Sequence, residues 1–236
     1  MFSKDKFLEG EILLIDKPLE WTSFQVVNAI RWAIRKKYEL KKIKVGHAGT
    51  LDPLATGLLI VCTGKATKKI QDIQGQEKTY EGSLLLGKTT PSFDLETEVD
   101  HEYPFDHITE PQIKEVASGF IGEIIQKPPI FSAIRKNGKR LYEYARKGEN
   151  VTVPERHVFI RELEITGFQP PEVHFRVVCS KGTYIRSLAH DMGKALGSGA
   201  YLSGLRRTKI GLYNVDNACL PRIFKENLAG ASENTG

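Results

Sequence analysis

The chain has 236 residues, of which 40% are hydrophobic and 27% charged, which suits one large domain with a real core and an ordinary soluble surface. Lys and Arg number 34 against 29 Asp and Glu, a net charge of +5 with a pI near 9.0 that fits a polyanionic partner without requiring one. No apolar run approaches the ~18 residues of a membrane span, no signal-peptide pattern opens the chain, and Cys62, Cys179 and Cys219 form no CxxC pair, so the expectation is a soluble cytoplasmic protein with reduced cysteines, no metal site and no disulfide framework.

In chain order, Glu11 to Asp16 (EILLID) reads as a short buried strand ended by Lys17-Pro18. Thr22 with Gln25 forms a capping box, and the helix it opens carries Phe24, Val27, Ile30 and Ile34 at helical spacing. A loop rich in Gly, Thr and Pro follows (KVGHAGTLDPLATG), then a buried strand at Leu58 to Cys62, a short helix at Ala66 to Ile73 and a strand at Thr79 to Leu86. Thr109, ahead of Pro111 and Gln112, caps a helix reaching about Phe120. Lys127-Pro128-Pro129 separates it from a polar, basic segment. Two strands follow, Val158 to Phe168 and Val173 to Cys179, then a helix from Thr183 to Leu196 and a last strand from Leu202 to Thr208. Strands adjoin one another without a βαβ rhythm. The expected class is therefore α+β, a mixed and largely antiparallel central sheet with flanking helices. The tail from Leu228 (LAGASENTG) reads as disordered.

Charge is unevenly placed. Arg31 to Lys44 holds seven basic residues against one acid; Arg135 to Lys147 holds six against one, with two tyrosines; Arg206, Arg207 and Lys209 form a third cluster. Basic blocks interleaved with aromatics are the footprint of a protein that grips phosphates and stacks bases. The loop Gly46 to Gly57 is the strongest chemical signal. Its three glycines allow unusual backbone and close approach, and Pro53 holds Asp52 extended, which places a carboxylate on a rigid loop. An Asp that merely caps a turn is the plainer reading of the same residues.

GHAGTLDPLATG resembles, over its twelve positions, the signature loop of the TruB-type tRNA pseudouridine synthases, which make pseudouridine at position 55 in the T arm. LLIDKP (Leu13 to Pro18), EKTYEGSLLLG (Glu77 to Gly87), QKPPIFSAIRKNGKRLYEYARKG (Gln126 to Gly148), CSKGTYIRSLAHDMG (Cys179 to Gly193) and LRRTKIG (Leu205 to Gly211) are similar to further motifs of that family, in its order, across about residues 10 to 215. The resemblance implies the pseudouridine synthase fold, one catalytic domain over 1–227 with an RNA-gripping thumb at about 127–155, and no cofactor. It implies Asp52 as the catalytic carboxylate, Tyr80 stacking on the target base and Arg186 pairing with the aspartate. His47, Tyr184 and Leu205 would hold or line the pocket of the flipped uridine. Asp94 would position Arg186, although Pro91 and Thr97 depart from the family's usual pattern there. Lys17, Arg135, Lys136, Lys139, Arg140, Arg146, Arg206 and Arg207 are the expected RNA contacts.

The implied reaction cuts C1′–N1, turns the uracil and rejoins it through C5, with no metal and no redox change. Asp52 attacking C1′, adding to C6, or acting as a base toward the ribose all remain open, and Tyr80 is a candidate to help deprotonate C5. Guide-directed relatives of the dyskerin type carry a C-terminal PUA domain; only 25 residues follow LRRTKIG, so the expectation is a short form acting as a monomer without an obligate protein partner. A non-catalytic RNA-binding protein is opposed by an intact Asp52, Tyr80 and Arg186. A glycoside hydrolase would need a second placed carboxylate, for which Asp94 is a weak candidate.

Overall fold

In chain order the elements are α1 (Lys4–Glu9), β1 (Ile12–Lys17), α2 (Ser23–Lys37), β2 (Val45–His47), β3 (Ala55–Thr63), α3 (Ile70–Gly75), β4 (Lys78–Leu86), β5 (Lys88–Thr89), β6 (His101–Glu102), α4 (Glu110–Gly119), β7 (Gly122–Gln126), β8 (Arg135–Lys136), β9 (Lys139–Arg140), α5 (Leu141–Ala145), β10 (Arg156–Gln169), β11 (Glu172–Cys179), α6 (Ile185–Ala195), β12 (Ala200–Ile210), β13 (Tyr213–Asn214) and α7 (Pro221–Gly230). The structure is a computed structural model and describes residues 2–132, 134–136, 138–149 and 151–230. The class is α+β with a largely antiparallel sheet. The chain divides into two compact units, Met1–Lys78 with Arg206–Gly236, and Thr79–Leu205.

In the first unit, β1 runs antiparallel to β3 from Ile12↔Cys62 to Lys17↔Gly57, and β2 pairs with β3 from Val45↔Thr63 to His47↔Val61. Side chains alternate across a strand, so β3 serves two cores at once. Its Leu59 and Val61 join Leu13 and Ile15 under Val26, Val27, Ile30 and Ile34 of α2 and Phe224 and Leu228 of α7. Its Leu58, Ile60 and Cys62 pack on the opposite side with Ile210 and Val215. That two-sided burial is why β3 reads as a continuous apolar run. The same alternation along β1 carries Lys17 inward with Leu13 and Ile15.

In the second unit, β4, β11, β10 and β7 lie in that order. β10 pairs antiparallel with β11 from Ile160↔Cys179 to Gln169↔Glu172, and with β7 from Arg156↔Gln126 to Ile160↔Gly122. Val158, Ile160, Val173, Phe175 and Val177 are buried there, as are Ile113 and Ala117 of α4 and Ile185, Leu188 and Met192 of α6.

The capping box at Thr22 forms, with the Gln25 amide donating to Thr22 Oγ1 at 3.1 Å. Phe24 is 64% exposed, against the expectation that it shares the buried stripe. The stripe runs through Val26, Val27, Ile30, Ala33 and Ile34, and at 3.6 residues per turn Phe24 falls off it. The helix expected at Ala66 to Ile73 is a 3-10 turn (Gly64–Lys69) followed by α3. The disorder expected from Leu228 is corrected in part. Leu228 is 1% exposed and closes the first core from α7, while residues 231–236 lie outside the described residues.

Candidate active site

Asp52 sits between β2 and β3, on a segment too rich in Gly, Thr and Pro to form a regular ladder. Its backbone is tied down piece by piece. The Ala48 amide donates to Ile60 O at 2.9 Å, the Ala55 amide to Asp52 O at 3.1 Å and the Glu20 amide to Pro53 O at 2.9 Å. Ser23, the first residue of α2, holds Leu51 from both ends: its hydroxyl accepts from the Leu51 amide at 2.9 Å and donates to the Leu51 carbonyl at 3.1 Å.

Two buried cations complete the restraint. Lys17, fully buried at the end of β1, donates to the carbonyls of Pro18 (2.9 Å), Trp21 (2.6 Å) and Pro53 (3.2 Å). Burial lowers its pKa to about 8, with the Arg207 charge pushing the same way and Asp52 opposing. Arg207, 1% exposed, donates through Nε to Leu58 O (2.8 Å) and through its Nη atoms to Gly49 O (3.0 Å) and Thr50 O (3.5 Å). Gly57 is needed where this strand meets β3: its φ is +101°, and a Cβ there would lie 2.3 Å from Arg207 O. His47 is half-buried at the start of the loop, and burial with the Arg207 charge holds its imidazole below the usual histidine range.

Lys17 and Arg207, both expected as RNA contacts, lie inside the protein instead of on its surface. Neither side chain reaches solvent, and both charges face loop carbonyls. Adjacent residues on a strand face opposite sides of it, which separates the two arginines of LRRTKIG. Arg206 turns the other way and forks onto Asp16, with 3.0 and 2.8 Å contacts, and its side chain stays 41% exposed.

In the second unit, Tyr80 is buried on β4 and Arg186 is buried in the first turn of α6. Arg186 donates to Ser92 O at 3.2 Å and Phe131 O at 2.9 Å and stands 3.5 Å from Asp94 Oδ2. Tyr184 caps α6. Gln126, at the end of β7, takes both of its backbone groups: the Tyr184 amide donates to Gln126 Oε1 at 2.7 Å and Gln126 Nε2 donates to the Tyr184 carbonyl at 3.0 Å. Ser187 Oγ donates to Lys127 O at 2.8 Å. The QKPP segment therefore fixes the helix end that carries Tyr184 and Arg186, a role for Gln126 that only its place before a Pro-Pro pair hinted at. Leu205 is half-buried and lies near Gly82 of β4.

Arg135 and Lys136 face Lys139 and Arg140 across a short hairpin, and Arg135, Lys139, Arg140 and Arg146 are exposed. Tyr142 lies 5.9 Å from the Arg140 guanidinium and 5.3 Å from that of Arg146, and Tyr144 lies 5.8 Å from Lys139. Lys136 is part-buried and donates to Thr152 O at 2.8 Å. Arg146 also meets Glu96 at 3.5 Å. Among the described residues no group of His, Cys, Asp and Glu could hold a metal ion, and no helix is long and apolar enough to cross a membrane.

Arg207→Lys keeps the charge but loses the planar fork that reaches Leu58, Gly49 and Thr50. Urea unfolding is expected to show a loss of about 2 kcal/mol. A wild-type midpoint in that variant would mean the loop is held without the fork. Lys17 gives a pH signature of defined sign. Its folded pKa is about 8 against 10.5 for a free lysine, so between those values the unfolded chain holds a proton that the folded chain has released. The penalty for burying the charged amine is complete below pH 8 and fades as pH rises. Unfolding of wild type beside Lys17→Met is expected to show wild type gaining on the variant from pH 8 to 10.5; parallel curves would mean the amine is not desolvated.

Residues 35–185 match the model of the TruB family pseudouridylate synthase N-terminal domain, and residues 186–223 match the tRNA pseudouridylate synthase B C-terminal domain. A Flavobacterium johnsoniae protein named tRNA pseudouridine synthase B is 59% identical over 95% of this chain and 98% of its own length, and one of that name from Parabacteroides distasonis is 57% identical over 94% of each. Two solved structures are similar as well. A chain of a Cbf5-Nop10-Gar1 complex is 32% identical with a TM-score of 0.68, covering 93% of this chain and 54% of that one. A chain of an H/ACA RNP bound to a substrate RNA containing 2'-deoxyuridine is 29% identical with a TM-score of 0.68, covering 96% and 57%. This chain thus spans little more than half the length of those solved chains. With both family models matched in sequence over most of its length, the chain belongs to the TruB family of pseudouridylate synthases, which are isomerases.

Proposed function

We propose that the chain isomerises the T-arm uridine at position 55 of tRNA to pseudouridine, with Asp52 as the reacting carboxylate. The observation that carries this reading is the restraint on Asp52: Ser23, Lys17 and Arg207 hold the backbone on either side of one carboxylate. Preorganisation of that kind is what a group doing chemistry needs and what a turn cap does not. The relatives named tRNA pseudouridine synthase B, matched over nearly the whole of both chains, supply the substrate class.

The reaction breaks C1′–N1, rotates the uracil and forms C1′–C5; the hydrogen at C5 leaves as a proton and the freed N1 takes one up, so atoms balance and no oxidant or reductant takes part. The target base must first leave its stack, at a cost of a few kcal/mol. Stacking on Tyr80 offsets part of that, by roughly 1–3 kcal/mol. His47, Tyr184 and Leu205 hold and line the uridine pocket, and Arg186 is the cation that serves the carboxylate, with Asp94 positioning it. Asp52 attacks C1′, adds to C6, or takes a ribose proton. The exposed cations of the thumb, Arg135, Lys139, Arg140 and Arg146, grip phosphates around the T arm, together with Lys136 and the exposed part of Arg206. The protein acts as a cytoplasmic monomer.

Tritium release from C5-labelled uridine in a tRNA transcript tests the reading directly. Wild type is expected to release it and Asp52→Ala is not, with the product mapping to position 55. Silence from wild type that still binds tRNA would sink the isomerase reading at this substrate. The phosphate grip predicts that log K for tRNA falls steeply with log salt. Each thumb cation replaced by alanine should flatten that slope by about 0.7–0.9 where it contacts a phosphate. An unchanged slope in the Arg135→Ala, Lys139→Ala, Arg140→Ala triple variant would remove the thumb from phosphate contact.

A further inference from the structure

The turn from Thr90 to Thr97 is built around a strained residue. Phe93 has φ +63°, in the left-handed region that a bulky side chain avoids at a cost of about 1–3 kcal/mol. Such an outlier persists only where its surroundings over-determine it, and they do. The Phe93 amide donates to Thr90 O at 3.1 Å and its carbonyl accepts from the Leu202 amide at 2.9 Å. Thr90 Oγ1 and Ser92 Oγ both donate to Asp94 O, at 2.6 and 3.2 Å, and the Glu96 amide donates to Asp94 Oδ1 at 2.9 Å. Thr90, Ser92 and Asp94 are buried. The product of this turn is a pair of acceptors for Arg186: Ser92 O at 3.2 Å and Asp94 Oδ2 at 3.5 Å.

Between those two acceptors in sequence stands Phe93, and its ring lies flat on the imidazole of His190, centroids 3.9 Å apart and planes 16° apart. His190 is one helical turn beyond Arg186 on α6, so the two share a helix face. One face of α6 thus holds the turn twice, by charge at Arg186 and by stacking at His190. The His190 ring is kept toward its neutral form by burial and by Lys194, against the weaker pull of Asp100, and its Nδ1 is buried without a hydrogen-bond partner. A half-buried imidazole whose inward nitrogen goes unanswered is a poor choice for packing alone.

We propose that Phe93 and His190 are positioning residues for Arg186, their stacked rings fixing the strained turn that presents Ser92 O and Asp94 to the guanidinium. The proposal rests on the reading above that Arg186 serves the reaction. Neither ring is required to touch RNA, so their loss should lower turnover and leave tRNA binding alone.

The experiment is single-turnover pseudouridine formation on a tRNA transcript, with tRNA affinity and urea stability measured on the same proteins. Phe93→Gly is the informative variant, because glycine accepts φ +63° readily and the fold should be no less stable without the strain. The expected result is a rate about tenfold lower or worse, from displacement of the guanidinium, with tRNA affinity and stability held. His190→Ala should repeat it, and His190→Phe, which keeps a flat ring for the stack, should restore the rate. Adding Phe93→Gly to Asp94→Asn should cost nothing further if both act through the same ion pair. A wild-type rate in Phe93→Gly overturns the proposal, as does a fully additive loss in the double variant. Asp94→Asn at full rate beside a dead Asp52→Ala would overturn it by removing the Asp94–Arg186 link while leaving the Asp52 chemistry standing. Full rate in Asp52→Ala would instead bring down the reading of the reaction.

Discussion

A carboxylate on an irregular loop keeps its place only if the loop's own backbone is tied, and in the first unit two buried cations do most of the tying. Lys17 and Arg207 between them take the carbonyls of Pro18, Trp21, Gly49, Thr50, Pro53 and Leu58. Burying a cation is expensive, by several kcal/mol before compensation, and is tolerated where fixed dipoles replace the lost water. Carbonyls that lack a ladder partner are such dipoles. The glycine-rich loop and the buried cations therefore support each other: the cations pin the carbonyls of an irregular segment, and without those carbonyls the charges could not stay inside. The strands set the geometry. β1 alternates so that Lys17 follows Leu13 and Ile15 inward, and β12 turns Arg207 inward by placing Arg206 outward against Asp16.

The second unit repeats this logic with other residues. Arg186 is buried on α6 and meets the carbonyls of Ser92 and Phe131 and the Asp94 carboxylate. Here too a planar cation gathers backbone oxygen from segments with no regular structure, which a point-charge ammonium would do with less directional control. Upstream of it, Gln126 does the neutral version of the task by closing both backbone groups of Tyr184. In each unit the regular elements supply position, and a few polar side chains convert that position into a held loop.

Much of this was legible in the sequence, and the division between what was and was not has a physical cause. Elements with strong local signals came through: the Thr22 capping box, the Thr109 cap, and the runs that became β3, β4, β10 and β11. The loop around Asp52 stood out as an irregular, held segment because Gly, Asp and Pro each carry a backbone meaning of their own. Phe24 was misread because a helix's apolar stripe is set by phase and not by the hydrophobicity of one residue in the first turn. Gln126 and Ser23 were missed because their partners are backbone groups 58 and 28 residues away, and a backbone acceptor leaves no mark in a sequence. Phe93 gave no warning for a related reason. Positive φ is written in sequence only when glycine or asparagine occupies the site, and here tertiary contacts impose it on a phenylalanine.

Charge was the property that sequence overstated. Among the described residues four basic side chains, Lys17, Lys78, Arg186 and Arg207, are buried, so a net charge of +5 mixes two populations with different physics. The buried ones act at contact distance on fixed acceptors and are nearly indifferent to salt. The exposed ones, among them Arg135, Lys139, Arg140 and Arg146, face water and are screened within about 8–10 Å. Counting them together hides the difference, because the charges that face loop carbonyls do not stand at the surface. The thumb compensates for its small number of charges by arrangement. Tyr142 lies 5.9 Å from Arg140 and 5.3 Å from Arg146, and Tyr144 lies beside Lys139, so aromatic rings offset part of the repulsion among these cations. A surface that gathers like charges in the absence of ligand has already met part of the electrostatic cost of facing a polyanion.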